Sequence, residues 1–255
     1  QAVKEAEEHF EEQKETLIQN LKEIASHIFR WDNLMVSLTC GEEGLDAVCR
    51  ELSGMKDRLY AAGEKEESRC ILHCTKQNEG FKTSSKVQYV ARVGNFIDGG
   101  ADYSGTLQIL KVILSYGYLW QNIRVRGGAY GCMCNFNRIG EGYLISYRDP
   151  NLEKTMEVYE GVVDYLKNFT VNDRDMNKYI IGTISNIDRP MTPSAKGDRS
   201  MNLYMNHVSA EMIRRERMEV LHAGQEDIRR LAPVVEALLR ADQLCVIGSE
   251  EKIEA

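Results

Sequence analysis

The sequence predicts an α+β fold, a mainly antiparallel sheet of about five or six strands covered by about six or seven helices. Three observations carry that reading. Short segments with period-two alternation recur along the chain, and longer segments with apolar residues at helical spacing separate them. One pair of alternating segments is also joined closely enough for an antiparallel hairpin. No internal repeat or low-complexity linker interrupts the 255 residues, enough for one large domain or two small ones.

The elements follow in order. Residues 1–30 read as a helix because Val3, Ala6, Phe10, Leu17, Leu21, Ile24 and Ile28 fall at helical spacing, with the stripe weakened at Gln13 and Lys14. Leu34, Val36, Leu38 and Cys40 alternate with Met35, Ser37 and Thr39, the pattern of a half-buried strand. After Gly41, Leu45, Val48, Cys49, Leu52, Met55 and Leu59 mark an amphipathic helix. A charged loop over 63–68 precedes a short apolar strand at Cys70–Cys74, and 75–85 read as polar loop. Val87, Tyr89, Ala91 and Val93 make a strand that ends before the Asp98-Gly99-Gly100 turn.

From Tyr103 to Ile123 the sequence is apolar nearly all round, which predicts a helix buried on most sides. The segments 130–136 and 143–147 form the expected hairpin, and Asp149-Pro150 reads as a helix start. A second helix follows over 173–187, then a loop over 189–200. Helical patterns resume from Ser200, over 209–222 and over 225–240 around Pro233, before a last strand at Leu244–Ile247.

Composition narrows the function. There are 39 Asp and Glu against 32 Lys and Arg, a balance that argues against nucleic acid or an anionic membrane as partner. No run of about 18 apolar residues is present to span a bilayer. The seven cysteines lack framework spacing and read as reduced thiols, as in a bacterial cytoplasm or an organelle matrix. The chain opens at Gln1 directly on a polar helix pattern without a signal-peptide core, as expected of a segment of a longer polypeptide.

No catalytic engine is visible. None of His9, His27, His73, His207 and His222 belongs to an H-E-x-x-H or H-x-x-E-H pair, in which two imidazoles one turn apart bind zinc. His9 to Gln13 reads H-x-x-E-Q, but glutamine does not replace the second imidazole. Cys70, His73 and Cys74 with Cys132 and Cys134 could assemble a thiol-metal site. The alternation puts His73 on the opposite face from Cys70 and Cys74, which favours packed thiols. Nucleophile-elbow, phosphate-loop and dinucleotide motifs are absent.

One stretch stands out, Arg124-Val125-Arg126-Gly127-Gly128-Ala129-Tyr130-Gly131, between the apolar helix and the hairpin. The backbone can turn sharply at Gly127 and Gly128 because neither carries a Cβ. Arg124 and Tyr130 then flank the bend with two hydrogen-bond donors able to polarise a carbonyl or support an oxyanion. The same residues also fit a plain helix end with a solvated last-turn cation.

Four segments carry a family resemblance. They are Tyr118–Gly131, Val87–Asn95 (VQYVARVGN), Leu144–Leu152 (LISYRDPNL) and Ile180–Ile184 (IIGTI). In order and spacing they resemble the C-terminal half of presequence-protease-type zinc metallopeptidases of the pitrilysin group, from about residue 30 onward. The resemblance implies a pitrilysin/processing-peptidase-like domain, with 1–33 a helix connecting from a preceding domain and 34–255 the C-terminal non-catalytic domain. It implies that zinc sits in the N-terminal catalytic half of the parent polypeptide and that this chain binds none. It also implies that Arg124 and Tyr130 hydrogen-bond the backbone of an unstructured peptide substrate. The remaining alternative is a stand-alone peptide-binding or structural module of the same fold. Residues beside Tyr130 on its strand face are expected to be core.

Overall fold

A computed structural model describes residues 2–61 and 78–254. The Cys70–Cys74 strand and the 63–68 loop expected from the sequence lie outside the described residues. The chain divides into two compact units, one of Gln1–Leu72 with Met191–His207, the other of His73–Pro190 with Val208–Ala255.

In the first unit, helices α1 (Ala2–Glu8) and α2 (Phe10–Ile28) are separated at His9, and α3 spans Glu42–Met55. The alternating segment 34–40 is not a strand. Among the described residues no neighbouring strand offers it a hydrogen-bond ladder, and alternation alone cannot make a sheet. Instead Leu34, Met35 and Val36 line a cleft with Ser200, Met201 and Tyr204 of helix α8 (Pro193–Met205). That helix begins inside the expected 189–200 loop. Thr192 caps it by accepting from the Ala195 N–H, and Pro193 occupies its first turn, where no intrahelical N–H is needed.

The second unit holds the sheet. Its strands are β1 (Glu79–Thr83), β2 (Gln88–Asn95), β3 (Gly131–Phe136), β4 (Glu141–Asp149) and β5 (Gln243–Ser249), in the spatial order β1-β5-β2-β4-β3. Every pairing is antiparallel except β1 with β5, which is parallel. The edge strand β1 lies within the expected polar loop. Its residues are all exposed, so no burial pattern in the sequence marks it.

One face of the sheet carries the helical layer. Val90, Cys134, Leu144 and Val246 are all buried there, as are Leu107, Ile109, Leu110 and Ile113 of α4 (Thr106–Ile113). Val235 and Leu238 of α11 (Ala232–Arg240) belong to the same core. Alternate strand residues look the other way. Tyr89, Met133 and Ile247 are each about two-fifths exposed, so the opposite face is only thinly covered within this unit.

The buried Arg92 on β2 is neutralised from two directions. It pairs with Asp242 at 2.6 Å and Glu160 at 3.0 Å, and also donates to the Leu239 carbonyl. The helix start expected at Asp149-Pro150 falls three residues later, where α5 spans Glu153–Glu160. Asp149 instead ends β4 with its carboxylate buried, accepting from the Asn151 N–H at 2.9 Å and the Thr155 hydroxyl at 2.7 Å. Helices α6 (Val162–Lys167), α7 (Asp173–Ile187), α9 (Ala210–Leu221), α10 (Gln225–Arg229) and α12 (Glu250–Glu254) complete the unit with α11.

Candidate functional site

The long apolar helix changes character before it reaches the bend. After α4 it continues as two π-helical stretches, Leu114–Tyr118 and Trp120–Arg126, whose wider turns are frequent at functional sites. Gly128 closes the second stretch in the left-handed conformation with φ +81°. Its N–H bonds the Arg124 carbonyl at 3.0 Å, and the Ala129 N–H bonds the Ile123 carbonyl at 3.1 Å. Each of these bonds spans one residue more than its counterpart in the Schellman form of the glycine cap, consistent with a widened π turn. Gly127 is needed for a different reason, since a Cβ there would stand 2.5 Å from the Ile123 carbonyl oxygen. Asn151 holds the bend from outside, its amide donating to the Gly127 carbonyl at 2.6 Å.

This turn brings Arg124 and Tyr130 together at the start of edge strand β3. The Arg124 guanidinium donates to the Tyr130 carbonyl, lies 4.4 Å from the Trp120 ring centroid and 5.6 Å from that of Tyr130. Stacking on Trp120 fixes its plane and leaves other N–H groups of the fork for a further acceptor. Tyr130 is 57% exposed, whereas Cys134 and Phe136 further along β3 are in the core. Its ring packs edge-on against Tyr147 at 5.4 Å and has the Arg148 guanidinium at 5.8 Å. The Tyr130 N–H bonds the Arg148 carbonyl at 3.3 Å, which ties the bend to β4.

Trp120, Tyr147, Arg148 and Asn151 were not singled out from the sequence as site residues. Trp120 had a usable signal, because it lies one helical turn before Arg124. The others had none, since their contacts depend on the β3–β4 register, which pairs Gly131 with Tyr147.

Among the described residues no group of three or more His, Cys, Asp or Glu is gathered to hold a metal. His9 sits in the break between α1 and α2, beside Glu12 at 3.6 Å. Cys70, His73 and Cys74 lie outside the described residues. Burial pushes the Cys132 thiol up to about 11 and the Cys134 thiol up to about 12. Both stay protonated at neutral pH and so are poor ligands and nucleophiles.

Because the folded values lie above the ordinary value of 9.0, folding favours the neutral thiols. That contribution is intact below about pH 9 and is lost as pH rises through the folded values. An aromatic disulfide reagent at pH 8 should therefore modify exposed Cys40 and Cys49 well before the partly buried Cys132, and Cys134 only on unfolding. A single uniform rate would contradict this placement.

Comparison with known proteins decides the family. The family described as the PreP C-terminal domain matches residues 78–250. The chain belongs to this presequence protease C-terminal domain family. Among its relatives, Protein HypA of Clostridium perfringens is 39% identical over 245 residues, covering 96% of this chain and 25% of that protein. Presequence protease 1, chloroplastic/mitochondrial, of Arabidopsis thaliana is 29% identical over 250 residues, covering 98% and 23%. The chain thus spans about a quarter of the length of these relatives.

Solved structures agree on the fold of this PreP-type domain. The crystal structure of pitrilysin superposes with a TM-score of 0.54 at 11% identity, covering 81% of this chain and 23% of that one. The peptidase M16 inactive domain from Pseudomonas fluorescens gives 0.51 at 13% identity, covering 82% and 50%. No helix among the described residues is long and apolar enough to cross a membrane.

Proposed function

We propose that this chain is the C-terminal, non-catalytic wall of the substrate chamber of a zinc metalloendopeptidase that degrades short unstructured peptides. In this reading residues 1–33 lead in from a preceding domain, zinc belongs to an N-terminal half of the same polypeptide, and the protein works in a bacterial cytoplasm or organelle matrix. The observation that carries it is the paired presentation of Arg124 and Tyr130 on either side of the Gly127-Gly128 bend, one against Trp120 and the other largely exposed.

The role of these residues follows from their chemistry. A guanidinium and a phenol hydroxyl are both donors at neutral pH, so together they hold a peptide carbonyl and support negative charge developing on its oxygen. Contacts of this kind address the backbone, which suits substrates of varied sequence. In this reading hydrolysis belongs to the other half, and this domain supplies binding and orientation.

The intact mass of the native polypeptide tests the assignment. A mass near 100 kDa, about four domains of ordinary size, is expected. A native mass close to the 29.1 kDa of this chain would leave no room for a catalytic half and would support a stand-alone binding module.

A further inference from the structure

A cavity elsewhere in the same unit has the chemistry of a receptor. It lies between α4, the far end of β3 and the C-terminal end of α7, with a volume of about 570 Å³, within the usual range for small-ligand sites. Lys111, Arg138 and Arg189 line it, and among the described residues no carboxylate does. Arg138 is already neutralised, because its guanidinium makes two 2.6 Å bonds to the buried Glu216. Lys111 is not neutralised, since the partner of its ammonium is the neutral Asn135 carbonyl at 2.9 Å. Arg189 forms no ion pair among the described residues. Two cationic groups therefore face one cavity without counter-charge from its walls.

The amides beside them narrow the ligand. Asn135 gives its carbonyl to Lys111 and keeps its N–H2 group as a donor. Asn186 back-bonds its amide N–H2 to the Gly182 carbonyl at 3.1 Å, which leaves its side-chain carbonyl as an acceptor. Two cations and an amide donor suit a carboxylate, and an adjacent acceptor suits the last N–H of a peptide. Hydrogen phosphate at neutral pH also carries an O–H for that acceptor, so it is the apolar wall that favours a peptide. Val112 and Tyr116 supply an apolar wall for a side chain.

We propose that this cavity binds the C-terminal carboxylate of a peptide, through Lys111 and Arg189 with Asn135 and Asn186 on the adjoining amide. The proposal rests on the peptide-handling reading above, but uses none of its residues.

The test compares two short unstructured peptides of one sequence free of Asp and Glu, one ending in a carboxylate and one in a carboxamide. Binding to the full-length polypeptide is measured by calorimetry, with a zinc chelator present to stop turnover. The acid should bind about tenfold more tightly, as expected of charge-assisted hydrogen bonds at a partly open site. The Lys111→Met, Arg189→Gln double variant should bind acid and amide alike while keeping the wild-type affinity for the amide.

Equal wild-type affinities, or a preference that survives the double variant, would overturn the proposal and leave the Arg124 and Tyr130 reading standing. No binding of either peptide would overturn both. Inorganic phosphate that displaces the acid peptide with comparable affinity would reassign the cavity to a free anion.

Discussion

Replacing Arg124 by Ala in the full-length polypeptide should lower turnover of an unstructured peptide by roughly two to three powers of ten. That corresponds to about 2.7–4 kcal/mol of transition-state stabilisation, the ordinary loss for one oxyanion donor. The guanidinium is placed for this by Trp120 below it and by its bond to the Tyr130 carbonyl. Arg124→Lys keeps the charge but not the fork or the stacked plane, so it should recover only a small part of the loss. Tyr130→Phe is the cleaner companion. It keeps the ring against Tyr147 and Arg148 and removes only the hydroxyl, so a fall in kcat without a fall in melting temperature is the expected result. Unchanged kinetics in Arg124→Ala and Tyr130→Phe alike would remove both residues from the site.

The second large effect is expected at the bend itself. Gly128→Val places a β-branched side chain at φ +81°, where L residues are strained. Gly127→Val drives a Cβ toward the Ile123 carbonyl oxygen, which can be relieved only by moving the end of the π turn. Each substitution should cost about 1–3 kcal/mol. For a domain of this size that lowers the melting temperature by roughly 2–4 °C per kcal/mol. Activity should fall further than stability alone requires, because the six-residue offset between Arg124 and Tyr130 is set by this turn. Gly128→Asn should be far milder, since asparagine visits the left-handed region. A Gly128→Val protein that melts and turns over like wild type would show that the bend tolerates a conventional backbone.

Much of this was legible in the sequence, for identifiable reasons. The 173–187 helix and the hairpin of β3 and β4 were readable because period and burial agree in them. The 34–40 segment misled because alternation describes one chain, whereas a strand needs a partner. Edge strand β1 was hidden for the opposite reason, being paired but exposed throughout. At the site, Arg124, Gly127, Gly128 and Tyr130 are close in sequence and stand out by residue type. The π widening that sets the cap, and the approach of Tyr147, Arg148 and Asn151 from β4 and beyond, depend on tertiary register and leave no local pattern.

Photo-crosslinking from position 130 tests the central claim most directly. A photoreactive phenylalanine analogue is placed there in the full-length polypeptide, with the same analogue at the exposed Tyr204 as the control position. If Tyr130 touches substrate, irradiation with an unstructured peptide should capture the peptide covalently at 130, saturably and well above the control. Capture at 130 no greater than at 204, from a protein that still cleaves the peptide, would contradict the account.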